Sequence, residues 1–335
     1  MRRTTIRLAD VAAFDNVVLA AYRAARSKHT RQDVRRFFSD FDKNISLLSE
    51  KILGGSAPVG CYREFVIHDP KRRTIHAACF EDRVFHHALM HFVGPVLDGA
   101  LLPNTFACRQ GKGHHAAIAR VRDLLLRYPW YVKIDIAQYF PAIDHTLLLA
   151  LLLRKFKGVG IDQLFSRILA SYVSKPGKGL PIGALTSQYF ANYYLDGADR
   201  FVSALDGVQG YLRYMDDMIW CCKTKAAAVA ALNAATHYLE AERFLSVKPD
   251  VEINRSTHGV TFCGYRVKHG QILLTRRRKN RYRVLRQKCE TAYSGEVIDA
   301  VQLQQRYDAV RAITLPANAT SWRRKELLRH PAIEV

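Results

Sequence analysis

The sequence predicts an α+β protein, with antiparallel strands gathered round one acidic hairpin and amphipathic helices before, between and after them. Three observations carry this expectation. Residues 211–222 read Y-L-R-Y-M-D-D-M-I-W-C-C, two short apolar, β-prone runs with Asp216 and Asp217 at the tip between them. Residues 130–145 read W-Y-V-K-I-D-I-A-Q-Y-F-P-A-I-D-H and set Asp135 inside another β-prone run. Elsewhere helical stripes alternate with short strands over 335 residues, without repeats or low-complexity linkers. That length holds two or three subdomains in one interlocked body.

The Asp216–Asp217 pair has two readings on its own stretch. Asp is a common turn residue, so a solvated turn is one. The other starts from the neighbours Tyr214, Met215, Met218, Ile219 and Trp220. Two like charges in apolar surroundings repel and call for a compensating cation, for which oxygen-ligated Mg²⁺ is suited. Asp135 breaks the tie. A lone carboxylate in a β-prone run is costly without a partner, and beside the hairpin it makes three. Three such carboxylates can hold two divalent ions about 3.5–4 Å apart and drive in-line displacement at phosphorus.

Composition narrows the partner. Hydrophobic residues make up 49% and charged residues 24%, ordinary for a globular protein, but 51 Lys+Arg against 30 Asp+Glu give a formal charge of +21. Such a field favours a polyanion, most often nucleic acid. No apolar run reaches the roughly 18–20 residues that cross a membrane. The basic start M-R-R-T-T-I-R-L-A-D lacks the apolar segment of a signal peptide. The cysteines at 61, 79, 108, 221, 222, 263 and 289 form no C-x-x-C pair, so reduced, buried thiols in a cytoplasmic protein are expected, with no zinc site.

In chain order, apolar spacing predicts helices over 8–25 and 33–53, the second ending at Gly54-Gly55. Residues 61–68 alternate as a strand, Asp69-Pro70 turn, and Lys71, Arg72 and Arg73 lead into a strand at 74–78. Cations at such a tip are more often a solvated turn; the functional alternative is a clamp on the triphosphate of a nucleotide. A helix over 81–98 carries His86, His87 and His91, read as packing or nucleic-acid contact rather than a metal site, since no third ligand follows. The basic, Gly-rich loop at 109–115 could present backbone N–H groups to phosphate. After the Asp135 strand, Asp144 is placed as the N-cap of a helix at 145–156. A helix at 162–173, the cationic Gly/Pro loop 174–183 and a helix running to 205 precede the acidic hairpin. A helix at 224–243 and strands at 251–254, 260–267 and 271–274 follow. Residues 276–288 form a helix cationic on most of its surface, another helix spans 298–312, and 320–335 is a basic tail.

These residues resemble the reverse transcriptases. Residues 135–140, Y-M-D-D at 214–217 and T-F-C-G-Y-R-V at 261–267 are similar to that family's motifs A, C and E. The resemblance covers roughly residues 60–290 and implies a right-hand polymerase fold. In it, 1–60 would be an N-terminal helical extension, 61–130 fingers, 131–275 palm with a fingers-derived segment at 145–185, and 276–335 thumb and basic tail. The stretch G-L-P-I-G-A-L-T-S-Q at 179–188 resembles the enzymes of diversity-generating retroelements, where intron enzymes carry Gln at the place of Ile182 and Pro at that of Gln188. Residues 61–70, 82–89 and 101–115 look like the same subgroup.

The resemblance implies roles residue by residue. Asp135 and Asp216 would bind two Mg²⁺ ions, with Mn²⁺ a substitute, Asp217 beside them and the Ile136 carbonyl completing a site. Lys71, Arg72 and Arg73 would take the triphosphate. Phe140 would occlude the 2′-hydroxyl, while Ile182 would face the incoming base pair, with Gln188 near the nucleotide. Phe262, Cys263 and Gly264 would grip the primer, and Arg276, Arg277, Lys279 and Arg283 would follow the template–primer duplex. Cys263 departs from the usual Leu, His86 from the usual Gln of a template contact, and no clear motif D places Lys248. The implied activity is RNA-directed DNA synthesis, error-prone at template adenines, in a bacterial cytoplasm or from a phage. Partners would be a template RNA, the RNA–DNA hybrid, dNTPs and a small basic pentameric accessory protein, with no membrane. An antiphage-defence reverse transcriptase and a non-catalytic RNA-binding scaffold are the alternatives.

Overall fold

The computed structural model describes residues 3–68, 72–331 and 333, so Lys71 and the 69–70 turn lie outside the described residues. The elements begin with β1 (Thr4–Thr5), α1 (Leu8–Ala12), α2 (Phe14–Ala25), α3 (Gln32–Ser39), α4 (Phe41–Leu53), β2 (Tyr62–Ile67) and β3 (Arg73–Ala78). Then come α5 (Phe80–Ala100), α6 (His114–Arg127), β4 (Trp130–Asp135), α7 (Tyr139–Ala142), α8 (His145–Lys155), β5 (Phe156–Lys157), α9 (Ile161–Ala170), α10 (Leu185–Tyr194) and α11 (Asp196–Ala204). The rest are β6 (Val208–Tyr214), β7 (Asp217–Cys222), α12 (Lys225–Arg243), β8 (Glu252–Arg255), β9 (Val260–Phe262), β10 (Tyr265–Lys268), β11 (Gln271–Leu274), α13 (Arg276–Ser294), α14 (Ala300–Ala312) and α15 (Thr320–Arg329). No helix among the described residues is long and apolar enough to cross a membrane.

Two compact units interleave along the chain. The first comprises Met1–Pro103, Ile136–Phe201 and Ala235–Lys248. Its centre is α5, whose Val84, Phe85, Ala88, Leu89, Val93 and Leu97 recur at helical spacing and are buried. Helices α2 and α10 pack on it, and the small residues Ala20, Ala21, Ala24 and Ala25 let α2 approach closely. The helix expected over 8–25 breaks at Ala13 (ψ 131°), and that over 33–53 breaks at Asp40 (φ −132°). Strands β2 and β3 form an antiparallel hairpin in register Tyr62↔Ala78 to Ile67↔Arg73. That register brings the next residues, Cys61 and Cys79, to a Cα separation of 5.4 Å, and they are joined as a disulfide. The expectation of reduced cysteines is corrected for this pair.

The second unit comprises Asn104–Asp135, Val202–Ala234 and Pro249–Val335. Its main sheet is antiparallel with order β6-β7-β4-β8, and a smaller sheet has order β11-β10-β9. One core joins them: Ala117, Ile118, Val121, Leu124 and Leu125 of α6, Leu212, Ile219 and Cys221 of the main sheet, and Phe262, Tyr265 and Val267 of the smaller. The strand expected over 260–267 is two strands, because Cys263 and Gly264 both take positive φ (46° and 78°) and reverse the chain. That is the two-residue turn whose twist suits a hairpin. Helices α13 and α14 enclose a separate small core of Tyr282, Cys289, Ile298, Leu303 and Val310. The tail given no structure above folds in part as α15, where Trp322 packs edge-on to Tyr282.

Candidate active site

The acidic hairpin is built by register. Strand β4 pairs with β7 so that Asp135 lies directly opposite Asp217, and β6 pairs with β7 so that Tyr214 opposes Asp217 from the other side. Opposed residues share a sheet face, with Cβ atoms about 4.5–5.5 Å apart in general. Asp216 occupies the two-residue loop between β6 and β7 behind Met215, whose φ is 58°. Asp135 and Asp217 thus end the sheet face that carries Tyr131, Leu212, Ile219 and Cys221 into the core. All three carboxylates are half-buried, where apolar packing stops and solvent begins.

The fit to divalent ions follows from donor chemistry. Among the described residues no three His, Cys, Asp or Glu side chains converge into a ready-made metal cage. Mg²⁺ does not need one, because it keeps water and is commonly held by one or two carboxylates together with substrate phosphates. Hard carboxylate oxygens on a rigid sheet edge, with the Ile136 carbonyl next in the chain, suit that ion. A zinc site would need softer, converging ligands.

The turn between β9 and β10 lies close to the same carboxylates. Burial, and then Asp217, pushes the Cys263 thiol well above its ordinary range, with Asp216 adding to it. Phe262 is buried and meets Tyr214 edge-on at 6.5 Å. It supports the turn from within rather than lying at its surface. Burial also pushes the Tyr214 hydroxyl up to about 12.

Arg278, absent from the residues singled out by sequence, holds this turn. It donates to the Cys263 carbonyl at 2.8 Å and the Gly264 carbonyl at 3.1 Å, and lies 3.8 Å over the Tyr265 ring. Thr275 donates to the Gly264 carbonyl as well, at 2.8 Å. Arg278→Ala is expected to cost about 1–3 kcal/mol through two lost hydrogen bonds to carbonyls and the stacked ring. A thermal melt reads that loss, and an unchanged melt would show the contacts to be idle.

Within the first unit, four of the nucleotide candidates are linked through the backbone. The Phe140 carbonyl accepts from Leu180 N–H at 2.9 Å, and two residues on the Ile182 carbonyl accepts from His76 N–H of β3 at 2.8 Å. Three residues before His76 is Arg73, exposed like Arg72 at the free end of the hairpin. One continuous loop therefore ties Phe140 and Ile182 to the strand that bears the arginines. Gln188 is half-buried on α10.

Residues 68–310 match the family described as reverse transcriptase (RNA-dependent DNA polymerase). The chain belongs to that family. Its antiparallel sheet with the acidic hairpin is the palm of the family's right-hand fold. The group II intron-encoded protein LtrA of Lactococcus lactis subsp. cremoris is 27% identical over 141 residues, 40% of this chain and 24% of that protein. A putative COX1/OXI3 intron 2 protein of Saccharomyces cerevisiae is 28% identical over 93 residues, 26% of this chain and 11% of that one. The chain therefore spans a quarter or less of the length of these relatives. A solved telomerase from Candida albicans, in complex with a TWJ fragment of telomeric RNA, superposes with a TM-score of 0.45 at 11% identity, covering 82% of this chain and 56% of that one.

In this reverse transcriptase family member the remaining candidates lie on several elements. Arg276 and Arg277 are exposed at the start of α13, and Lys279 stands 5.8 Å over Trp322. Arg283 donates to Glu326 through two bonds of 2.6 and 2.7 Å. His86 is buried, and burial lowers its pKa to about 4, so it does not reach a template. His91 Nδ1 lies 2.7 Å from Asn16 Oδ1, a packing role. Asp144 caps α8 as expected, accepting from Leu147 N–H at 3.0 Å. Lys248 follows Val247, whose backbone bridges Ile136. Arg109 and Lys112 fold back onto Thr105, at 2.6 Å to its hydroxyl and 3.2 Å to its carbonyl.

Proposed function

We propose that the protein is an RNA-directed DNA polymerase of a diversity-generating retroelement. The Asp135–Asp217 apposition at the palm edge of a reverse transcriptase-family chain carries the chemistry. Asp135, Asp216 and Asp217, with the Ile136 carbonyl, would hold two Mg²⁺ ions, which supply Lewis-acid stabilisation of the charge that develops at phosphorus. Arg72 and Arg73 offset the charge of the dNTP triphosphate, with Lys71 beside them. Phe140 fills the space a 2′-hydroxyl would need, which is the atom separating the two nucleotide classes. The Cys263–Gly264 turn seats the primer end, and exposed Arg276 and Arg277 follow the duplex backbone.

The retroelement reading rests on Ile182 and Gln188, where the intron enzymes carry Gln and Pro. An aliphatic side chain beside the nascent base pair offers no hydrogen bond to report a mismatch, which suits error-prone copying of adenines. The partners proposed with it are an element-encoded template RNA, its RNA–DNA hybrid and a small basic pentameric accessory protein, in a bacterial cytoplasm. Two cationic proteins would associate through the RNA between them.

Primer extension on an RNA template, with dNTPs and NTPs supplied separately and products sequenced, tests both levels. DNA with errors concentrated opposite template adenines is the expected product. Accurate DNA would keep the polymerase and remove the retroelement assignment. RNA binding without synthesis, even with template RNA and accessory protein added, would leave a scaffold.

A further inference from the structure

Behind the acidic hairpin lies a buried cation to which the reading above gives no role. Arg213 has 0% of its surface exposed and stands three residues before Asp216. It opposes Met218, so its side chain starts from the sheet face opposite Tyr214 and Asp217. From that face its guanidinium donates to the Met215 carbonyl at 3.0 Å. Met215 is the loop residue with φ 58°, a left-handed conformation costly for any residue with a Cβ. The backbone of Arg213 is clamped too. Its N–H donates to the Asn104 carbonyl and its own carbonyl accepts from Phe106 N–H, both at 3.0 Å, which adds residues 104–106 to the edge of β6.

A guanidinium is almost never taken fully out of water unless its hydrogen bonds are made. Here one of them ends on the carbonyl that sets the loop bearing Asp216. We propose that Arg213 is a positioning residue for nucleotidyl transfer, holding the Met215–Asp216 loop in its left-handed form so that Asp216 and Asp217 stay aligned with Asp135. Arginine suits the task because it keeps its charge and donors at any working pH. This inference rests on the polymerase reading, and the test separates the two.

The experiment compares Arg213→Met, Arg213→Lys, Met215→Gly and the double variant Arg213→Met/Met215→Gly in the full chain. Each is measured by primer extension (kcat and dNTP KM), RNA affinity and hydrogen exchange of the hairpin. Arg213→Met is expected to lower kcat about 30-fold with dNTP KM and RNA affinity within about 2-fold. Lys still reaches the carbonyl with one donor and should hold kcat within about 3-fold of wild type. Glycine adopts positive φ freely, so the double variant should recover at least about 5-fold over Arg213→Met. Exchange at the hairpin should rise about 10-fold in Arg213→Met, whatever its activity.

Wild-type kcat and exchange in a folded Arg213→Met would overturn the proposal. So would equal losses of kcat, RNA affinity and melting temperature in the Met and Lys variants, which is a plain structural defect. If Arg213→Met does not fold, Arg213→Lys decides: near-wild-type kcat supports the positioning role, and loss of kcat with normal RNA affinity and exchange overturns it. A wild type that makes no DNA while Arg213→Met alone loses exchange protection would sink the polymerase reading and leave the hold on the loop standing.

Discussion

Asp135→Asn is expected to lower the rate of DNA synthesis about 10³-fold, an effect of about 4 kcal/mol on the transition state. The substitution keeps the shape of the side chain and removes its charge. Asp135 ends β4 opposite Asp217, so the change falls at the pair that meets solvent and spares the core behind it. Tyr131, the core residue of the same strand and face, hydrogen-bonds the Gly259 carbonyl at 2.9 Å, and that anchor is untouched. Melting temperature and RNA affinity should therefore stay near wild type. Asp216→Asn and Asp217→Asn serve as companions, and the non-additivity of the three would show that they act as one unit. Primer extension in Mg²⁺ checks this, and more than a tenth of wild-type activity in a folded Asp135→Asn would return the carboxylates to the plain-turn reading.

The parts of this fold that were legible in the sequence are those where one residue type conflicts with its surroundings. Asp135 stood out because a charge in a β-prone run is costly, and the register places it opposite a second carboxylate. Asp144 stood out because a helix needs an acceptor at its start. The breaks at Ala13 and Asp40 were not equally marked. Alanine is the best helix former, so nothing local says that the chain should turn there. The Cys263–Gly264 reversal was hidden because F-C-G-Y reads as strand continuation, and it is the left-handed φ of Cys263 together with that of Gly264 that makes it a turn. Among the many cations at 276–288, sequence could not tell which turn inward. Arg278 faces the Cys263–Gly264 turn and Arg283 faces Glu326, and both choices depend on partners far along the chain. The Cys61–Cys79 pairing needed the β2–β3 register, because a separation of 18 residues carries no pattern of its own.

Gly183→Val is expected to lower kcat/KM for dNTPs about 10²-fold, mostly through KM. Gly183 has φ +120°, a conformation side chains rarely adopt, and a Cβ there would lie 2.9 Å from the Ile75 Cγ2 atom and 3.1 Å from the His76 carbonyl oxygen. Positive φ and overpacking together cost about 3 kcal/mol, most cheaply relieved by moving the loop off β3. The movement breaks the 2.8 Å bond from His76 N–H to the Ile182 carbonyl, the tie between this loop and the strand of Arg73. Substrate binding should suffer because base and triphosphate then no longer meet one rigid frame. The carboxylates belong to the other unit, so kcat at saturating dNTP should fall far less than KM rises. Gly183→Ala has the same φ conflict with less bulk and should land between. Equal loss in kcat and KM would place Gly183 in general stability, whereas a selective rise in KM with unchanged RNA affinity would tie nucleotide selection to the contact between this loop and β3.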